Sequence, residues 1–387
     1  MARSLMPGTH VRHPELPRTT LLLAAASFFA DISTEMLYPI IPLFLTEVLA
    51  APATILGLVE VFADAIQNIA QGGSGWTASR FRSNKLVALG GYALAAIGKP
   101  CIGLAVVWPQ FLAARFADRL GAGTRSAPRD ALIASSVDEA QRGMAFGMES
   151  AGDNLGAVLG PLISLMLVSV WLWDLRGLFL LAFAPAAMAF VMVLLVREPA
   201  GNELQPAATV RLRDLPRTFW RYVGATVLFG IGNSTNAFLI LRLKQLGFST
   251  PTTILVYAAF NLIAALASLP AGRLSDTVGR RSVLSAGLLI FALAYAGFAV
   301  TTNFTILTAC FAFYGLYQGT FRTVGKAVAS DLVDDGHRAL AIGLYASAGG
   351  FATLAARSGE RCGLQSDPAP RSGMEPPSPP WPVRSFM

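Results

Sequence analysis

Long apolar stretches separated by short polar segments run along most of the chain. Each stretch is close to the ~20 residues that a helix needs to cross the hydrocarbon core of a bilayer. The stretches are continuous and lack the two-residue alternation of membrane barrel strands, so they predict helices. The pattern predicts the start of an eleventh span near Ala339 after ten spans at Thr20–Leu45, Ile55–Gly72, Leu86–Val107, Phe111–Ala134, Ala145–Val170, Leu178–Val196, Tyr222–Leu241, Thr252–Pro270, Val283–Val300 and Thr305–Ala329.

The composition is that of an integral membrane protein. Hydrophobic residues make up 54% of the chain and charged residues only 14%, whereas a soluble domain carries charge on roughly a quarter of its residues. The net charge of +7 does not indicate a nucleic-acid partner, because the arginines fall in loops between the apolar stretches. The first stretch is longer than a signal peptide and contains acids, so we expect an uncleaved span. Three cysteines, an odd number, predict no disulfide framework.

The basic residues of the loops predict the orientation of the chain. Loops rich in lysine and arginine stay on the cytoplasmic side of a membrane, and the opposite loops here hold only Arg176, Arg242 and Lys244. The bias places the amino terminus and the central connector in the cytoplasm of a multi-pass protein of the cell (inner) membrane. The predicted segments are a cytoplasmic tail (1–19), a first six-helix half (20–196), a cytoplasmic connector (197–221), a second half with spans seven to ten and part of eleven (222–356), and a disordered tail (357–387).

The last segment breaks the pattern of spans. After the apolar run that begins at Ala339, the composition changes at Arg357 to one rich in proline, serine and arginine, which is typical of disorder. An internal repeat would demand a completed span eleven and a span twelve. We therefore interpret 357–387 as a frameshifted or prematurely ended reading frame, with a genuine polar tail as the alternative.

Two loops share one pattern and lie at matched positions of the two halves. The loop from Gly272 to Arg281 reads GRLSDTVGRR, and a degraded copy, GWTASRFRSNK, begins at Gly75 and has Ser79 in place of the aspartate. An aspartate there can accept hydrogen bonds from the open N–H groups of a helix N-terminus. A second pair, GTRSAPRDALIAS and GTFRTVGKAVASD, closes spans four and ten. These matches predict an internal repeat, although either loop alone would also fit a solvated charge run.

The spacing Gly-x-x-x-Asp-x-x-Gly-Arg-Arg resembles the signature loop of the major facilitator superfamily. The resemblance implies an all-α membrane protein with the major facilitator fold, two six-helix inverted-repeat halves, here with spans eleven and twelve incomplete or missing. It also implies a secondary transporter, not an enzyme, whose halves rock about a central site. The signature-loop positions are Gly75, Arg80, Gly272, Asp276, Gly279, Arg280 and Arg281.

Ionisable residues inside the spans are the strongest candidates for function, because unpaired charges are expensive in the membrane interior. Three spans each carry two acids four residues apart, which places both acids on one helix face. A carboxyl that titrates near neutral pH can couple proton entry to movement. The alternative is that these ions only neutralise one another between helices. The candidate proton-coupling and charge-network residues are Asp31, Glu35, Glu60, Asp64, Arg115, Asp118, Arg119, Glu149 and Asp153, with Lys99 on span three.

Two further segments resemble motifs of the same family. RFADRLGAG, from Arg115 to Gly123, resembles the span-four motif, whose arginine the resemblance links to proton transfer; here Arg119 replaces a glycine. GDNLGAVLGP, from Gly152 to Pro161, resembles the span-five motif of the antiporter branches. Glycines every four residues also let a neighbouring helix approach closely, so packing alone would explain that stripe.

The second half carries softer polar residues within its spans. Together with tyrosines they predict a cavity that offers hydrogen bonds and aromatic faces, although ordinary contacts between helices would explain each residue singly. The sequence places charge chemistry in the first half and neutral recognition in the second. The predicted substrate-cavity residues are Asn233, Asn236, Asn261, Tyr314, Gln318 and Arg322.

The remaining patterns argue against other classes of protein. The chain contains no GxxxxGK[ST] loop of an ATP-driven pump and no HExxH or GxSxG motif of a protease, and we expect neither a cofactor nor a metal. We expect a monomer in the lipid bilayer whose partners are protons and a small-molecule substrate, with no nucleic acid. Proton-coupled efflux of a small organic molecule is the leading interpretation. The alternatives are proton-coupled uptake of a metabolite or siderophore-like compound and a non-functional truncated remnant.

Overall fold

The computed structural model describes residues 16–81, 83–171, 173–197, 212–232, 250–301 and 303–365. Within these ranges the chain is helical and contains no strand, as the continuous apolar stretches predict. The α-helices are α1 (Arg18–Glu35), α2 (Ile40–Leu43), α3 (Ala53–Phe81), α4 (Asn84–Gly103), α5 (Trp108–Ser135), α6 (Arg142–Ser169), α7 (Leu175–Leu181), α8 (Phe183–Leu194), α9 (Arg217–Gly232), α10 (Thr250–Val278), α11 (Arg280–Val300), α12 (Phe304–Asp331) and α13 (Arg338–Gln365).

The first half contains six crossing segments, two of which are broken helices. A turn that contains Pro39 separates α1 from α2, and a π-helical segment, Phe44–Val48, extends α2. A turn at Ala182 separates α7 from α8. Pro185 follows this turn and has no N–H to donate to the carbonyl of Leu181, which favours a break in the helix there. The segments α3, α4, α5 and α6 are single helices.

The two halves use the same packing scheme, which confirms the predicted internal repeat. In the first half α5 packs against α3 and α4, and α1 packs against α6. In the second half α12 packs against α10 and α11, and α9 packs against α13. Each half therefore has its own core. In the second half this core is mostly aromatic, with Phe260, Phe311 and Tyr314 buried.

The halves meet most extensively through two helix pairs, α6 with α10 and α3 with α13, and less extensively through α6 with α12 and α5 with α13. In the first pair the backbone of Gly143 contacts that of Gly272, and in the second pair Gly75 lies against the backbone of Ala339. Both contacts lie where the two predicted signature loops are, and we call this end of the molecule the signature-loop end. The halves are therefore held together at this end.

Two helix boundaries differ from the prediction. Helix α9 begins at Arg217, inside the predicted connector, because Phe219 is buried against Leu340 and Ala341 of α13. Helix α13 continues to Gln365, past Arg357, where the disordered tail is predicted to begin. The sequence contains no proline between 357 and 365, so the backbone can continue the helix. The rest of the predicted tail lies outside the described residues.

Hydropathy alone identifies only part of this architecture. Helix α5 is as long as its neighbours, but its hydropathy is too low to identify it as a membrane span. The reason is that charges such as Arg115, Asp118 and Arg119 recur along it. These charges face protein instead of lipid, since Arg115 and Asp118 are buried. Six described segments are long and apolar enough to cross a membrane: Arg18–Val48, Asn84–Gly103, Glu139–Val168, Leu175–Leu194, Leu255–Val278 and Arg280–Val300.

Candidate functional site

A cavity of about 800 Å³ lies between the two halves. This volume is within the range of small-molecule sites, roughly 300–1,000 Å³. Most of its charged residues come from the first half and most of its aromatic residues come from the second. The charged residues in its wall are Asp31, Glu35, Arg119, Arg125, Arg129, Asp130, Asp153, Arg322 and Lys326. The aromatic residues are Tyr38, Phe229, Tyr257, Tyr314, Tyr317, Phe321 and Tyr345.

The glycine stripe of α6 positions the acidic face of α1. A Cβ added at Gly156 would lie 2.8 Å from the Cβ of Asp31, and one added at Gly160 would lie 2.9 Å from the Cβ of Glu35. Any side chain at these glycines would therefore displace α1 from α6. This close approach brings the carboxyl of Asp31 into hydrogen-bond contact with the carboxyl of Asp153 on α6.

Two ion pairs join the halves in the interior of the molecule. Arg322 of α12 pairs with Asp153 of α6, and the Lys326 ammonium lies 2.7 Å from a carboxylate oxygen of Glu149. The two cations and the two acids are each four residues apart, and the helices run in opposite directions. One face of α12 therefore neutralises one face of α6 across the boundary between the halves.

The Glu149 carboxylate is the centre of a buried, neutral cluster. It is fully buried and lies 2.7 Å from Arg129 and within hydrogen-bond distance of Ser27, at 3.3 Å. Asp130 completes the cluster, 2.7 Å from Arg129 and 3.2 Å from Lys326. Two acids and two cations thus compensate one another, which is what a buried charge needs to be tolerated.

Sequence reasoning did not select Arg125, Arg129, Asp130 or Lys326 as site residues. The sequence nevertheless contains a pattern that could have identified these cations. The two repeated segments that close spans four and ten each place two cations four residues apart. That spacing matches the spacing of Glu149 and Asp153, and complementary spacings on two helices favour pairing. The pattern alone did not indicate which helices would face each other.

A second charge cluster lies within the first half, around Asp118 of α5. This carboxylate is buried and lies 2.9 Å from Lys99, 3.2 Å from Arg115 and 2.9 Å from Arg119. Arg115 also pairs with Glu60 of α3, at 3.4 Å. The cluster ties α3, α4 and α5 together.

The two arginines of this cluster have different positions relative to the cavity. Arg119 lines the cavity and donates to Gln67 at 3.1 Å. Arg115 is buried between Asp118 and Glu60 and is not part of the cavity wall. Asp64, one turn after Glu60 on α3, is half-buried and acts on both arginines through its charge. The structure does not place Arg115 in contact with Asp31 or Glu35.

The structure places only some of the predicted substrate-cavity residues of the second half in the cavity wall. Tyr314, Gln318 and Arg322 line the cavity. Asn261 is not among the residues of the cavity wall: its side chain is buried and donates to the Tyr257 carbonyl one turn earlier, at 3.0 Å. Its role in substrate binding stays a prediction. Asn233 and Asn236 lie outside the described residues.

Asp276 in the second-half loop caps a helix of the first half. Its carboxylate accepts hydrogen bonds from the backbone N–H groups of Gly143 and Met144, both at 2.8 Å. These are open N–H groups in the first turn of α6, where a negative charge also complements the helix dipole. The sequence predicted such a cap, but not that it would join the two halves.

Arg280 extends this contact into an ion-pair chain. It pairs with Asp276 and lies 3.0 Å from Asp331 at the end of α12. Asp331 in turn lies 2.6 Å from Arg142 at the start of α6. The chain of ion pairs therefore returns to the same helix terminus that Asp276 caps. The Asp276 cap and the Arg142–Asp331 ion pair together join the halves at the signature-loop end.

The other signature-loop residues have simpler environments. Gly279 has φ +104° immediately before α11, a conformation that favours glycine. Arg80 and Arg281 are exposed, and neither forms a salt bridge among the described residues. Gly75 provides a close contact with α13, as Gly272 does with α6.

Comparison with known proteins extends these observations. An uncharacterized MFS-type transporter of Methanocaldococcus jannaschii is 30% identical over 351 residues, which cover 88% of this chain and 87% of the relative. An uncharacterized protein of Mycobacterium tuberculosis is 28% identical over 323 residues, which cover 79% of this chain and 76% of the relative.

Two solved structures share the fold. The human organic anion transporter MFSD10 (TETRAN) superimposes with a TM-score of 0.74 at 15% identity and covers 88% of this chain and 91% of its own. The proton:xylose symporter XylE superimposes with a TM-score of 0.72 at 15% identity and covers 90% and 89%. The family model described as Major Facilitator Superfamily matches residues 23–241 and 222–358. The chain therefore belongs to the major facilitator superfamily and is an integral, multi-pass membrane protein that functions in secondary transport.

Proposed function

We propose that this transporter exports a small organic molecule in exchange for protons, by alternating access of the central cavity. The observation that carries the proposal is the position of Asp153. Its carboxylate is the partner of Arg322 in the other half and contacts the Asp31 carboxyl in the cavity wall. A proton that binds there acts directly on a bond between the halves.

The coupling follows from the charge of Asp153. While Asp153 is ionised, it attracts Arg322 and helps hold α6 against α12. When the carboxyl pair takes up a second proton, Asp153 becomes neutral and its Coulomb attraction to Arg322 is lost. The halves then separate more easily on this side of the cavity. Protonation and opening are linked because they share one carboxyl group.

Each acid of α1 faces a defined set of charges. Asp31 faces the carboxyls of Asp153 and Glu35 and the guanidinium of Arg125. Glu35 is acted on by the charges of Arg119, Arg322 and Asp153, and also by that of Arg115, which lies outside the cavity wall. We assign the coupling proton to Asp31 and its partner carboxyl, with Glu35 one turn away as the second exchangeable group.

The direction of transport rests on two features. The span-five segment GDNLGAVLGP resembles that of antiporters, and its glycines position the acids of α1. The contacts of Asp276 and Arg280 close the signature-loop end, which we assign to the cytoplasm because of its basic residues. In this conformation the cavity is closed toward the cytoplasm, so exported substrate would already have left the cytoplasmic side.

Proteoliposomes test the proposal. The purified full chain is reconstituted with a pH-sensitive dye inside, and a panel of small organic molecules is screened for uptake against a gradient, driven by an opposing pH gradient. We expect Asp31→Asn, Glu35→Gln and Asp153→Asn each to abolish uphill transport while downhill exchange persists. Glu47→Gln is the matched control, since Glu47 is exposed and its loss should change nothing.

The outcomes are distinct. If all three variants still transport uphill in a pH gradient, the assignment of the coupling site is wrong. If the wild-type protein accumulates its substrate in the direction of proton flow, the protein is a symporter and the export proposal is wrong.

A further inference from the structure

The ionisable groups of the cavity wall fall into two classes. Most are neutralised within the protein: Arg119, Arg129, Asp130, Asp153, Arg322 and Lys326 all form salt bridges. Asp31, Glu35 and Arg125 line the same cavity but form no salt bridge with any residue that the structure describes. These three groups are therefore the ones whose charge is available to a ligand.

Arg125 is held in position without a carboxylate. Its guanidinium lies over the ring of Tyr92, 4.5 Å from the ring centroid, a contact that orients a cation but does not neutralise its charge. The side chain is half-buried in the cavity wall. Arg125 is also the cation whose charge acts on Asp31, and the two side chains form no salt bridge with each other.

One negative and one positive charge of the cavity wall remain without an ion-pair partner among the residues that the structure describes. The carboxyls of Asp31 and Asp153 are neighbours, and two ionised carboxylates so close repel each other, which favours one proton shared by the pair. The single negative charge of the pair is then balanced by Arg322, which pairs with Asp153. Glu35 and Arg125 then remain as one free negative and one free positive charge.

The opposite wall of the cavity is aromatic. The rings of Tyr314 and Tyr317 are 5.6 Å apart, Tyr317 and Phe321 are 5.4 Å apart, and Phe321 and Phe229 are 5.2 Å apart. All four line the cavity. Such a wall packs well against the apolar or aromatic body of a ligand.

We propose that the cavity binds zwitterionic organic molecules with an aromatic body. The ammonium group of the ligand lies against the α1 carboxyls, chiefly Glu35, its anionic group binds Arg125, and its body packs on the aromatic wall. This substrate class deepens the proposed export function and rests on it for the statement that the bound molecule is transported. The recognition itself depends only on the charges of the cavity.

Three probes with one skeleton test this recognition. Phenylalanyl-phenylalanine is a zwitterion, its carboxamide is a cation, and its N-acetyl form is an anion. Binding of each probe to the purified full chain in detergent is measured at neutral pH by titration calorimetry. We expect the zwitterion to bind about tenfold more tightly than either relative, which is the effect of one charge-assisted hydrogen bond.

Two variants separate the two ends of the ligand. Arg125→Gln should remove the preference for the zwitterion over the carboxamide while keeping the preference over the N-acetyl form. Glu35→Gln should do the reverse. Arg213→Gln and Glu47→Gln are controls, because both side chains are exposed; each should leave all three affinities unchanged. A cooperative thermal transition in each variant shows that it is folded.

Each other result overturns the proposal. Equal binding of the carboxamide and the zwitterion to the wild-type protein would indicate an organic-cation site. Equal binding of the N-acetyl form would indicate an organic-anion site, and binding of none of the probes would rule out this recognition. Proton-driven transport of an unrelated compound in proteoliposomes would in each case leave the export function standing, so the two proposals fail separately.

Discussion

Lys326 and Glu149 form a 2.7 Å ion pair between the two halves of the protein, at a place where the glutamate is completely buried. Arg129 binds the same carboxylate, at 2.7 Å. Such a pair is compatible with alternating access only if its cost of separation can be offset during the cycle. The neighbouring Asp130, 3.2 Å from Lys326, also belongs to the first half, so the same separation breaks this second contact of the ammonium group.

Removal of the Glu149 charge should destabilise the protein strongly. In Glu149→Gln the two cations keep Asp130 but lose the other carboxylate that they share, and breaking a buried pair costs roughly 3–5 kcal/mol. We expect a clear decrease in melting temperature in detergent, whereas the exposed control Glu47→Gln should melt like the wild-type protein.

The double variant Glu149→Gln/Lys326→Met tests whether the effect belongs to the pair. It should cost less than the sum of the two single substitutions, since residues in one network are not additive. Strict additivity of the two costs would contradict a direct interaction between these residues.

The sequence predicted the faces of this network but not its pairing. Acids four residues apart at Glu149 and Asp153 must share one face of a helix, and the same holds for Arg322 and Lys326. Their pairing joins positions 177 and 169 residues apart in the chain, and local periodicity carries no information over such a distance. Only the contact of α6 and α12 brings the two faces together.

The signature loops also show that the sequence predicts a local feature without predicting which helix it contacts. The carboxylate of Asp276 was predicted to cap a helix because its spacing suits open N–H groups, but the capped helix, α6, belongs to the other half. Asn261 shows a related limit, since a polar side chain inside a span can bond a carbonyl of its own helix, as Asn261 does with Tyr257, and the sequence does not reveal which amides do so. Hydrophobic pattern therefore predicts the helices, whereas the site depends on how the helices face one another.

Gly156→Ala should weaken the contact between α1 and α6. The added methyl group would lie 2.6 Å from the Phe28 carbonyl oxygen and 2.8 Å from the Asp31 Cβ, so α1 must move and the carboxyl pair with Asp153 is disturbed. We expect a lower melting temperature and loss of proton coupling in proteoliposomes.

The matched control is Gly90→Ala in α4, where an added Cβ has no neighbour within 4 Å. Alanine is favoured over glycine inside a helix by about 1 kcal/mol, so this variant should be neutral or slightly more stable. Equal behaviour of the two variants would mean that the glycine stripe does not position α1.

Asp276→Asn should loosen the signature-loop end. The variant keeps a side chain that can accept a hydrogen bond but removes the charge that complements α6 and Arg280, a loss of about 1 kcal/mol. We expect faster labelling of a cysteine introduced at the buried Ser275 and slower transport. Arg281→Gln, in the same loop but exposed, should leave labelling and transport unchanged. An unaltered Asp276→Asn variant in both assays would leave the loop as an orientation signal only.

The first-half loop offers the reciprocal experiment. Gly75 of α3 contacts the start of α13 as Gly272 of α10 contacts the start of α6, yet the first-half loop has Ser79 where the second has Asp276. Ser79→Asp therefore introduces a carboxylate at the loop position that matches Asp276. If the repeat extends to this contact, the carboxylate caps α13, whose N-terminal dipole favours negative charge. We expect stability to be unchanged or increased by up to about 1 kcal/mol, measured as a melting temperature. Thr77→Asp is the control, because two residues along a helix places the same charge on a different face. A lower melting temperature for Ser79→Asp than for Thr77→Asp would show that the two loops do not act as equivalent caps.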